Sequence, residues 1–212
     1  MHIVFDLDGT LIDARPRMHQ LFCRLAPDTG LSFDAYWDFK RAKVSHEVLL
    51  AREFGYDAAR IAAFVRDWMD AIESPAMLAV DSNFPGMAAT LARLQGQADL
   101  HVCTARQQRQ PVLDQLERLD LARYFSSVMV TEQRHSKQEL IAALPRRSGA
   151  DWMLGDTGRD IEVGKALGMR TCAVLSGFLS HASLLPYGAD LILDSAADFV
   201  LPADAGPGHW RA

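Results

Sequence analysis

Residues 2–13 read HIVFDLDGTLID: an apolar run at positions 3–5 leads directly into two aspartates, Asp6 and Asp8, and then into a Gly-Thr pair. The apolar run predicts a buried strand, and the Gly-Thr pair predicts a loop after it. Buried carboxylates are costly unless a hydrogen bond, an opposite charge or a metal ion compensates them. Because open α/β sheets bind ligands at the carboxyl ends of their strands, the two aspartates indicate a catalytic or metal-binding site. A strand that simply ends in an Asx-turn is the alternative.

We expect Asp13 to lie in a loop. After it, two patterns of hydrophobic spacing divide the chain. Residues 14–81 show helical spacing without a strand, as in the series Met18, Leu21, Phe22 and Leu25, and predict a small bundle of four helices. Ser45 and Asp57 are expected to cap the third and fourth of these helices, and Ser74-Pro75 is expected to end the fourth. From residue 84 onward, strand-like and helix-like segments alternate, which predicts a parallel, doubly wound sheet.

The predicted fold is therefore an α/β core with an insertion. The core comprises residues 1–13 and 82–212, and the inserted helical cap domain comprises residues 14–81. Since the insertion leaves the chain directly after the two aspartates, the cap is expected to cover the strand tip and exclude water from it. The tail from residue 202 to 212 is rich in Pro, Gly and Ala and is expected to be loosely held.

Composition narrows the classes of partner. A net charge of −5 provides no basic footprint for nucleic acid, and no apolar stretch is long enough to span a membrane. The three cysteines are scattered and form no C-x-x-C motif, which favours a reducing, cytoplasmic location. The histidines form no zinc motif. Both a monomer and a homodimer remain open.

Polar residues follow four of the predicted strands, where open sheets bind their ligands. They are Asp6 and Asp8 after the first strand, Thr104, Lys137, and Asp156 with Asp160. Several carboxylates around one point repel each other, and Mg²⁺, which prefers oxygen ligands, relieves that repulsion. A lysine and a threonine hydroxyl add hydrogen-bond donors for an anion such as phosphate. The set is typical of phosphoryl transfer.

The same residues carry a family resemblance. The sequence DLDGT at 6–10 resembles motif I of the haloacid dehalogenase superfamily, and CTA at 103–105 resembles its motif II. Lys137 is similar to motif III, and GDTGRD at 155–160 is similar to motif IV. The helical insertion resembles the C1-type cap of the branch that includes phosphoglycolate phosphatase. The resemblance covers essentially the whole chain except the tail, and it implies a Rossmann-like core with an inserted cap.

The resemblance implies roles in catalysis or in phosphate binding for four residues. Asp6 would attack phosphorus and become an aspartyl-phosphate. Asp8 would act as a general acid toward the leaving group and then as a general base toward water. Thr104 and Lys137 would hold the phosphoryl oxygens. The implied enzyme is a phosphatase that acts on a small phosphorylated metabolite.

The resemblance also implies a Mg²⁺ site. Its ligands would be the Asp6 carboxylate, the Asp8 backbone carbonyl and Asp156, with Asp160 acting through water or as a support for the ligands. Simpler interpretations remain open for three of the candidates. Thr104 could be an ordinary strand residue, Lys137 a solvated lysine, and Asp160 an acidic residue favoured by a helix dipole.

Alternative activities lie inside and outside the superfamily. The presence of Asp8 disfavours a dehalogenase or a phosphonatase, because those branches usually lack a second aspartate at this position. A phosphosugar mutase shares all four motifs and remains open. Outside the superfamily, the alternative is a signalling module in which a phosphorylated aspartate changes the affinity for a partner.

The substrate is left undetermined, but one cap segment is a candidate for recognising it. Residues 39–47 read FKRAKVSHE and form a strongly charged segment near the expected seam between cap and core. Arg41, Lys43 and His46 are the candidate substrate contacts, and the basic residues there suit an anionic group besides the phosphate. A solvated helix end is the alternative interpretation.

Overall fold

The structure, a computed structural model, describes residues 1–145 and 148–202. Within them lie eight strands and ten α-helices. In chain order the strands are β1 (His2–Phe5), β2 (Ile12–Asp13), β3 (Ser82–Asn83), β4 (Asp99–Thr104), β5 (Ser127–Val130), β6 (Trp152–Gly155), β7 (Arg170–Val174) and β8 (Leu191–Leu193). The helices are α1 (Arg15–Leu25), α2 (Phe33–Arg41), α3 (His46–Phe54), α4 (Ala58–Ala71), α5 (Pro75–Leu78), α6 (Met87–Gln95), α7 (Arg109–Arg118), α8 (Lys137–Ala142), α9 (Gly158–Ala166) and α10 (His181–Leu184).

Six of the strands form a parallel sheet in the order β5-β4-β1-β6-β7-β8. The predicted doubly wound parallel sheet is therefore confirmed. The first strand lies at its centre, between β4 and β6, and Phe5 pairs with Val102 on one side and Leu154 on the other. Whatever follows β1 is consequently flanked by the ends of β4 and β6.

Side chains that alternate along β1 build two hydrophobic layers, one on each face of the sheet. Ile3 and Phe5 belong to a cluster that includes residues of α6 and α7. Val4 packs with Cys103 and Met153 in a second cluster that includes residues of α8 and α9. Because both faces are covered, β1 is apolar throughout positions 3–5 rather than alternating with polar residues.

A short antiparallel ribbon joins the two ends of the insertion. Ile12 pairs with Asn83, and Asp13 pairs with Ser82. The prediction that Asp13 lies in a loop is therefore wrong: it belongs to β2 and accepts hydrogen bonds from the backbone and side chain of Arg15. Strands of two residues are too short to produce a recognisable alternation, which is why the sequence did not reveal the ribbon.

The insertion between β2 and β3 contains five helices, α1 to α5. Two predicted caps are confirmed: Ser45 accepts a hydrogen bond from the Val48 backbone, and Asp57 accepts one from the Arg60 backbone. The prediction of four helices is wrong, because Pro75 begins the short helix α5 instead of only ending the fourth. Proline suits the first turn of a helix, where its missing N–H has no intrahelical partner.

The insertion has a hydrophobic cluster of its own. Phe22, Tyr36, Leu49 and Trp68 are among its buried members, and the residues of the sheet form other clusters. This separation supports the domain division that we propose, in which residues 14–81 form the cap and residues 1–13 and 82–212 form the core. Of the tail predicted to be loosely held, residues 203–212 lie outside the described residues. None of the described helices combines the length and the apolar character required to cross a bilayer.

The aromatic cluster of the cap provides a test of this packing. We expect Phe22→Ala to lower the free energy of unfolding by about 3–5 kcal/mol, because Phe22 is fully buried and its removal leaves a cavity. Phe33→Ala is the matched control, since Phe33 is 38% exposed, and it should cost less than half as much. Urea denaturation of both variants measures the difference, and equal losses would contradict a packed cap core.

Candidate active site

The ends of three adjacent strands bring the predicted motifs together. Asp6 follows β1, Thr104 ends β4, and Asp156 follows β6. These residues, with Asp8 and Lys137, line one cavity of about 300 Å³ at the carboxyl end of the sheet. The sheet order explains their proximity, because β4, β1 and β6 are neighbours although they lie far apart in the chain.

Lys137 is placed by the first turn of α8. The Ser136 side chain accepts a hydrogen bond from the Glu139 backbone, and Glu139 accepts one in return from the Ser136 backbone, which forms a capping box. The Lys137 Nζ atom donates to Asp6 Oδ1 at 2.5 Å and to Asp160 Oδ1 at 2.6 Å. Burial alone would lower the pKa of Lys137, but the two carboxylates outweigh it and hold the pKa well above its usual value.

Three buried carboxylates lie close together here, and two of them, Asp6 and Asp160, bind this ammonium. One oxygen each from Asp6, Asp156 and Asp160 lies within 4.8 Å of the others. Burial raises the pKa of Asp6 to about 7, although the Lys137 ammonium lowers it. Burial also raises the pKa of Asp156 well above the usual range, and repulsion from Asp6 and Asp160 adds to this effect. One lysine does not neutralise the cluster, so a further positive charge would stabilise it.

The oxygens of the cluster fit a hard cation. Asp156 Oδ2 accepts a hydrogen bond from the Phe178 backbone at 2.7 Å. Its Oδ1 atom is buried, and the described residues provide no hydrogen-bond partner for it. Asp160 is already held by protein donors, because Oδ1 accepts from Lys137 and Oδ2 accepts from the Thr157 hydroxyl at 2.6 Å. Mg²⁺ prefers such oxygen ligands. A bound cation would supply the missing partner of Asp156 Oδ1.

Two glycines allow the loops to close around Asp156. A Cβ atom at Gly177 would lie 2.0 Å from Asp156 Oδ2, and one at Gly9 would lie 2.5 Å from the same oxygen. Gly9 also has a φ of +81°, a conformation that other residues rarely adopt. The Gly-Thr pair after the two aspartates therefore serves close packing as well as the turn.

Asp8 is held by two arginines that the sequence analysis did not identify. Arg106 donates to Asp8 through Nε at 2.5 Å and through Nη2 at 2.7 Å, and Arg17 donates through Nη2 at 2.5 Å. Burial alone would raise the pKa of Asp8, but Arg106 and Arg17 outweigh it and lower the pKa to about 2. The Asp8 carboxylate is thus held in its ionised form. Its side chain binds the two arginines and is not part of the cluster of Asp6, Asp156 and Asp160.

The same arginines connect Asp8 to the base of the insertion. Arg17 lies in α1 and its Nε is 3.1 Å from Asp81 Oδ1, while Asp81 directly precedes β3. Gln115 donates to Asp81 at 2.7 Å and accepts from Arg106 at 3.2 Å. Burial raises the pKa of Asp81 to about 6, although Arg17 lowers it. The position of Arg106, two residues after Thr104, was a usable signal; Arg17 and Asp81 had none in the sequence.

The three predicted cap contacts are placed differently from one another. Lys43 lines a cavity between cap and core, and its Nζ donates to the Tyr187 hydroxyl at 3.1 Å. The Arg41 side chain is exposed, and the described contact of this residue is a backbone carbonyl that accepts from Ser183. His46 lies inside the cap, where it bonds to the Tyr36 hydroxyl at 2.8 Å and its ring packs on Trp68.

The interpretation of His46 as a substrate contact is therefore corrected. Its ring is part of the aromatic cluster of the cap, and it lines neither the active-site cavity nor the cavity beside Lys43. Burial and, to a smaller extent, the nearby Lys40 ammonium lower the pKa of His46 to about 3. The sequence does not show whether the His46 side chain points into the cap or toward the substrate cavity, because the first turn of α3 allows both directions.

The buried ion network provides the prediction for this site. Arg106→Met would leave Asp8 and Asp81 with one arginine between them, and losing one partner of a buried ion pair typically costs about 3–5 kcal/mol. We expect a loss of this size in the free energy of unfolding, measured by urea denaturation at neutral pH. Arg109→Met, which removes an exposed arginine of α7, is the control and should change stability by less than about 0.5 kcal/mol. Similar values for the two variants would mean that the network contributes little.

Comparisons with known proteins identify the family of this chain. A family model described as haloacid dehalogenase-like hydrolase matches residues 3–174. The chain is 29% identical over 209 residues to phosphoglycolate phosphatase of Synechococcus elongatus, covering 93% of this chain and 94% of that protein. It is 25% identical over 209 residues to a plasmid-encoded phosphoglycolate phosphatase of Cupriavidus necator, covering 91% and 88%.

Structural comparison gives the same fold. A solved haloacid dehalogenase-like family protein from Streptococcus pneumoniae superposes with a TM-score of 0.73 over 92% of this chain and 94% of that chain, at 22% identity. The family resemblance drawn from the four motifs is thereby confirmed, as is the Rossmann-like core. The chain belongs to the haloacid dehalogenase-like hydrolase family.

Proposed function

We propose that this protein is a Mg²⁺-dependent phosphatase that hydrolyses a small phosphorylated metabolite through an aspartyl-phosphate intermediate. The observation that carries the proposal is the cluster of Asp6, Asp156 and Asp160 at the carboxyl end of the central strand, in which Asp6 and Asp160 bind the Lys137 ammonium. Membership of a hydrolase family favours an enzyme over a signalling module. The relatives named phosphoglycolate phosphatase make phosphoglycolate one of the substrates to test.

Asp6 is the proposed nucleophile. Its carboxylate oxygen attacks phosphorus, the bond from phosphorus to the ester oxygen breaks, and water later releases the phosphate and restores the carboxylate. Burial raises the pKa of Asp6 to about 7 even though the Lys137 ammonium lowers it, so without this cation the ionised, nucleophilic form would be less favoured. Lys137 and Thr104 line the same cavity and are proposed to hold the phosphoryl oxygens.

Asp8 is proposed to transfer the protons. It donates a proton to the leaving oxygen and afterwards takes one from the attacking water. The ionised state that Arg106 and Arg17 maintain suits the second of these steps. Donation requires the protonated state, which the arginines disfavour, so we expect substrate binding to weaken at least one of these contacts.

The cation site is proposed to consist of the Asp6 carboxylate, Asp156 and the backbone carbonyl of Asp8. Bound Mg²⁺ would polarise a phosphoryl oxygen as a Lewis acid and offset the negative charge of the cluster. Asp160 is proposed to act through water or by orienting Lys137, since both of its oxygens already accept hydrogen bonds from protein donors.

A cytoplasmic location and a monomeric or homodimeric state also remain part of this proposal.

The test of the activity is a screen of phosphorylated metabolites, phosphoglycolate and p-nitrophenyl phosphate included, with Mg²⁺ present. We expect phosphate release by the wild type and almost none by Asp6→Asn, because an amide is a poor nucleophile. Asp70→Asn, at an exposed position of α4, is the control and should remain active.

Two results of this screen would contradict the proposal. If Asp6→Asn retained more than a tenth of the wild-type kcat, a loss below about 1.4 kcal/mol, Asp6 would not be the nucleophile. If a sugar phosphate were isomerised without release of phosphate, the phosphosugar mutase would be the better assignment.

Metal dependence is tested separately. EDTA should stop turnover and Mg²⁺ should restore it, because the candidate ligands are all oxygens. Mg²⁺ should also raise the melting temperature of the wild type, since a ligand that binds the folded state stabilises it, and it should do so less for Asp156→Asn. Full activity in EDTA, or the highest rate with Zn²⁺, would argue against this site.

A further inference from the structure

A second cavity extends from the active site along the seam between cap and core. Its volume is about 530 Å³, and it is lined by Lys40 and Lys43 from the cap and by Arg159 and Tyr187 from the core. It adjoins the active-site cavity because several residues line both: Met18, Thr157, Arg159 and Phe178. A phosphate ester with its phosphorus at Asp6 can therefore extend into this second cavity.

The two cavities differ in charge. The active-site cavity contains acidic residues, among them Asp6, Asp8 and Asp156, and the cations close to them already form ion pairs. In the second cavity the charged lining residues that the structure describes are Lys40, Lys43 and Arg159, and none is acidic. An excess of positive charge in a cleft attracts an anionic ligand.

Two of these cations lack a partner for their charged groups. Across residues 1–145 and 148–202, no hydrogen bond or ion pair is found for the Lys40 ammonium or for the Arg159 guanidinium. Lys40 is half-buried, and burial lowers its pKa even though Glu47 raises it. A partly desolvated charge without a partner is costly, and an anion bound beside it would remove that cost.

Lys43 differs from the other two because it is already oriented. Its Nζ donates to the Tyr187 hydroxyl at 3.1 Å and lies 4.7 Å from the centre of the ring. The backbone of Lys43 has a φ of +62°, which is uncommon for a residue other than glycine. Lys43 therefore connects the cap to the core at the edge of the cavity, while Lys40 and Arg159 remain available to a ligand.

We propose that this cavity binds a second anionic group of the substrate, at the end remote from the transferred phosphate, and that Lys40 and Arg159 determine this specificity. The inference rests on the proposed function and adds a substrate class to it: phosphate esters that end in a carboxylate or a second phosphate. Because the second cavity lies beside the active-site cavity rather than within it, we expect substrates with a longer backbone than phosphoglycolate to reach it better.

Matched esters test the proposal. Glycerol phosphate, which ends in a neutral hydroxymethyl group, is compared with phosphoglycerate esterified at its primary hydroxyl, which ends in a carboxylate, and with glycerol bisphosphate. Phosphoglycolate and hydroxyethyl phosphate form the shorter pair. We expect the wild-type kcat/KM to be about tenfold or more higher for the anionic members of the longer set than for the neutral one, roughly 1.4 kcal/mol.

Variants of the lining residues test whether the second cavity causes the preference for anionic esters. Lys40→Met and Arg159→Met remove the charge and keep most of the aliphatic chain, and each should reduce the anionic-to-neutral ratio about fivefold or more, as expected for a lost charge-assisted hydrogen bond. Lys40→Arg keeps the charge and should retain most of the preference. Arg52→Ala, an exposed cap position away from both cavities, should leave all rates unchanged. Melting temperatures identify any variant that is merely less stable.

The outcomes are distinguishable. A wild-type ratio near one for every pair, or a ratio that neither methionine variant changes, would overturn the second-anion site while leaving the phosphatase intact. A higher rate for the bisphosphate than for the carboxylate would support the site and assign phosphate as the anion, and the reverse would assign a carboxylate. If none of these esters, p-nitrophenyl phosphate included, released phosphate, the proposed function would fail and this inference with it.

Discussion

The Lys137 ammonium lies 2.5 Å from Asp6 and 2.6 Å from Asp160, and the balance of charge at the carboxyl end of the sheet depends on this cation. Three carboxylates are buried there, and burial favours their neutral forms. The Lys137 ammonium opposes this effect by lowering the pKa of Asp6, which favours the ionised form that a nucleophile needs. Its position depends in turn on the capping box at Ser136, which fixes the first turn of α8. The capping box therefore positions Lys137, and the ammonium of Lys137 in turn lowers the pKa of Asp6.

A second set of charges links the insertion to the core. Arg17 comes from the first helix of the insertion and Arg106 from the loop after β4, and both contact Asp8. Asp81, at the end of the insertion, lies opposite both arginines. Movement of the cap about the β2–β3 ribbon would change the surroundings of Asp8 directly. A residue proposed to transfer protons is thus placed where closure of the cap can affect it.

Sequence reasoning worked best where residues are constrained locally. The apolar run before Asp6, the alternation of strands and helices, and the helix caps at Ser45 and Asp57 predicted elements that the structure contains. The β2–β3 ribbon was not predictable, because it is too short to show periodicity. The position of His46 was not predictable either, because its aromatic surroundings come from α1, α2 and α4. Contacts of this second kind depend on the packing of elements that lie far apart in the chain.

The sequence by itself determined the parallel sheet and the order of the four motifs, because hydrophobic periodicity and short polar motifs are local properties. It also indicated that the carboxylates would meet, because parallel strands end at the same edge of a sheet. Only the tertiary structure decided how the charges are paired. The strand order places Asp156 beside Asp6, and the packing of the insertion directs Arg17 to Asp8 and leaves Lys40 facing a cleft. Such pairings depend on distances of a few ångströms between remote residues, and spacing along the chain does not encode those distances.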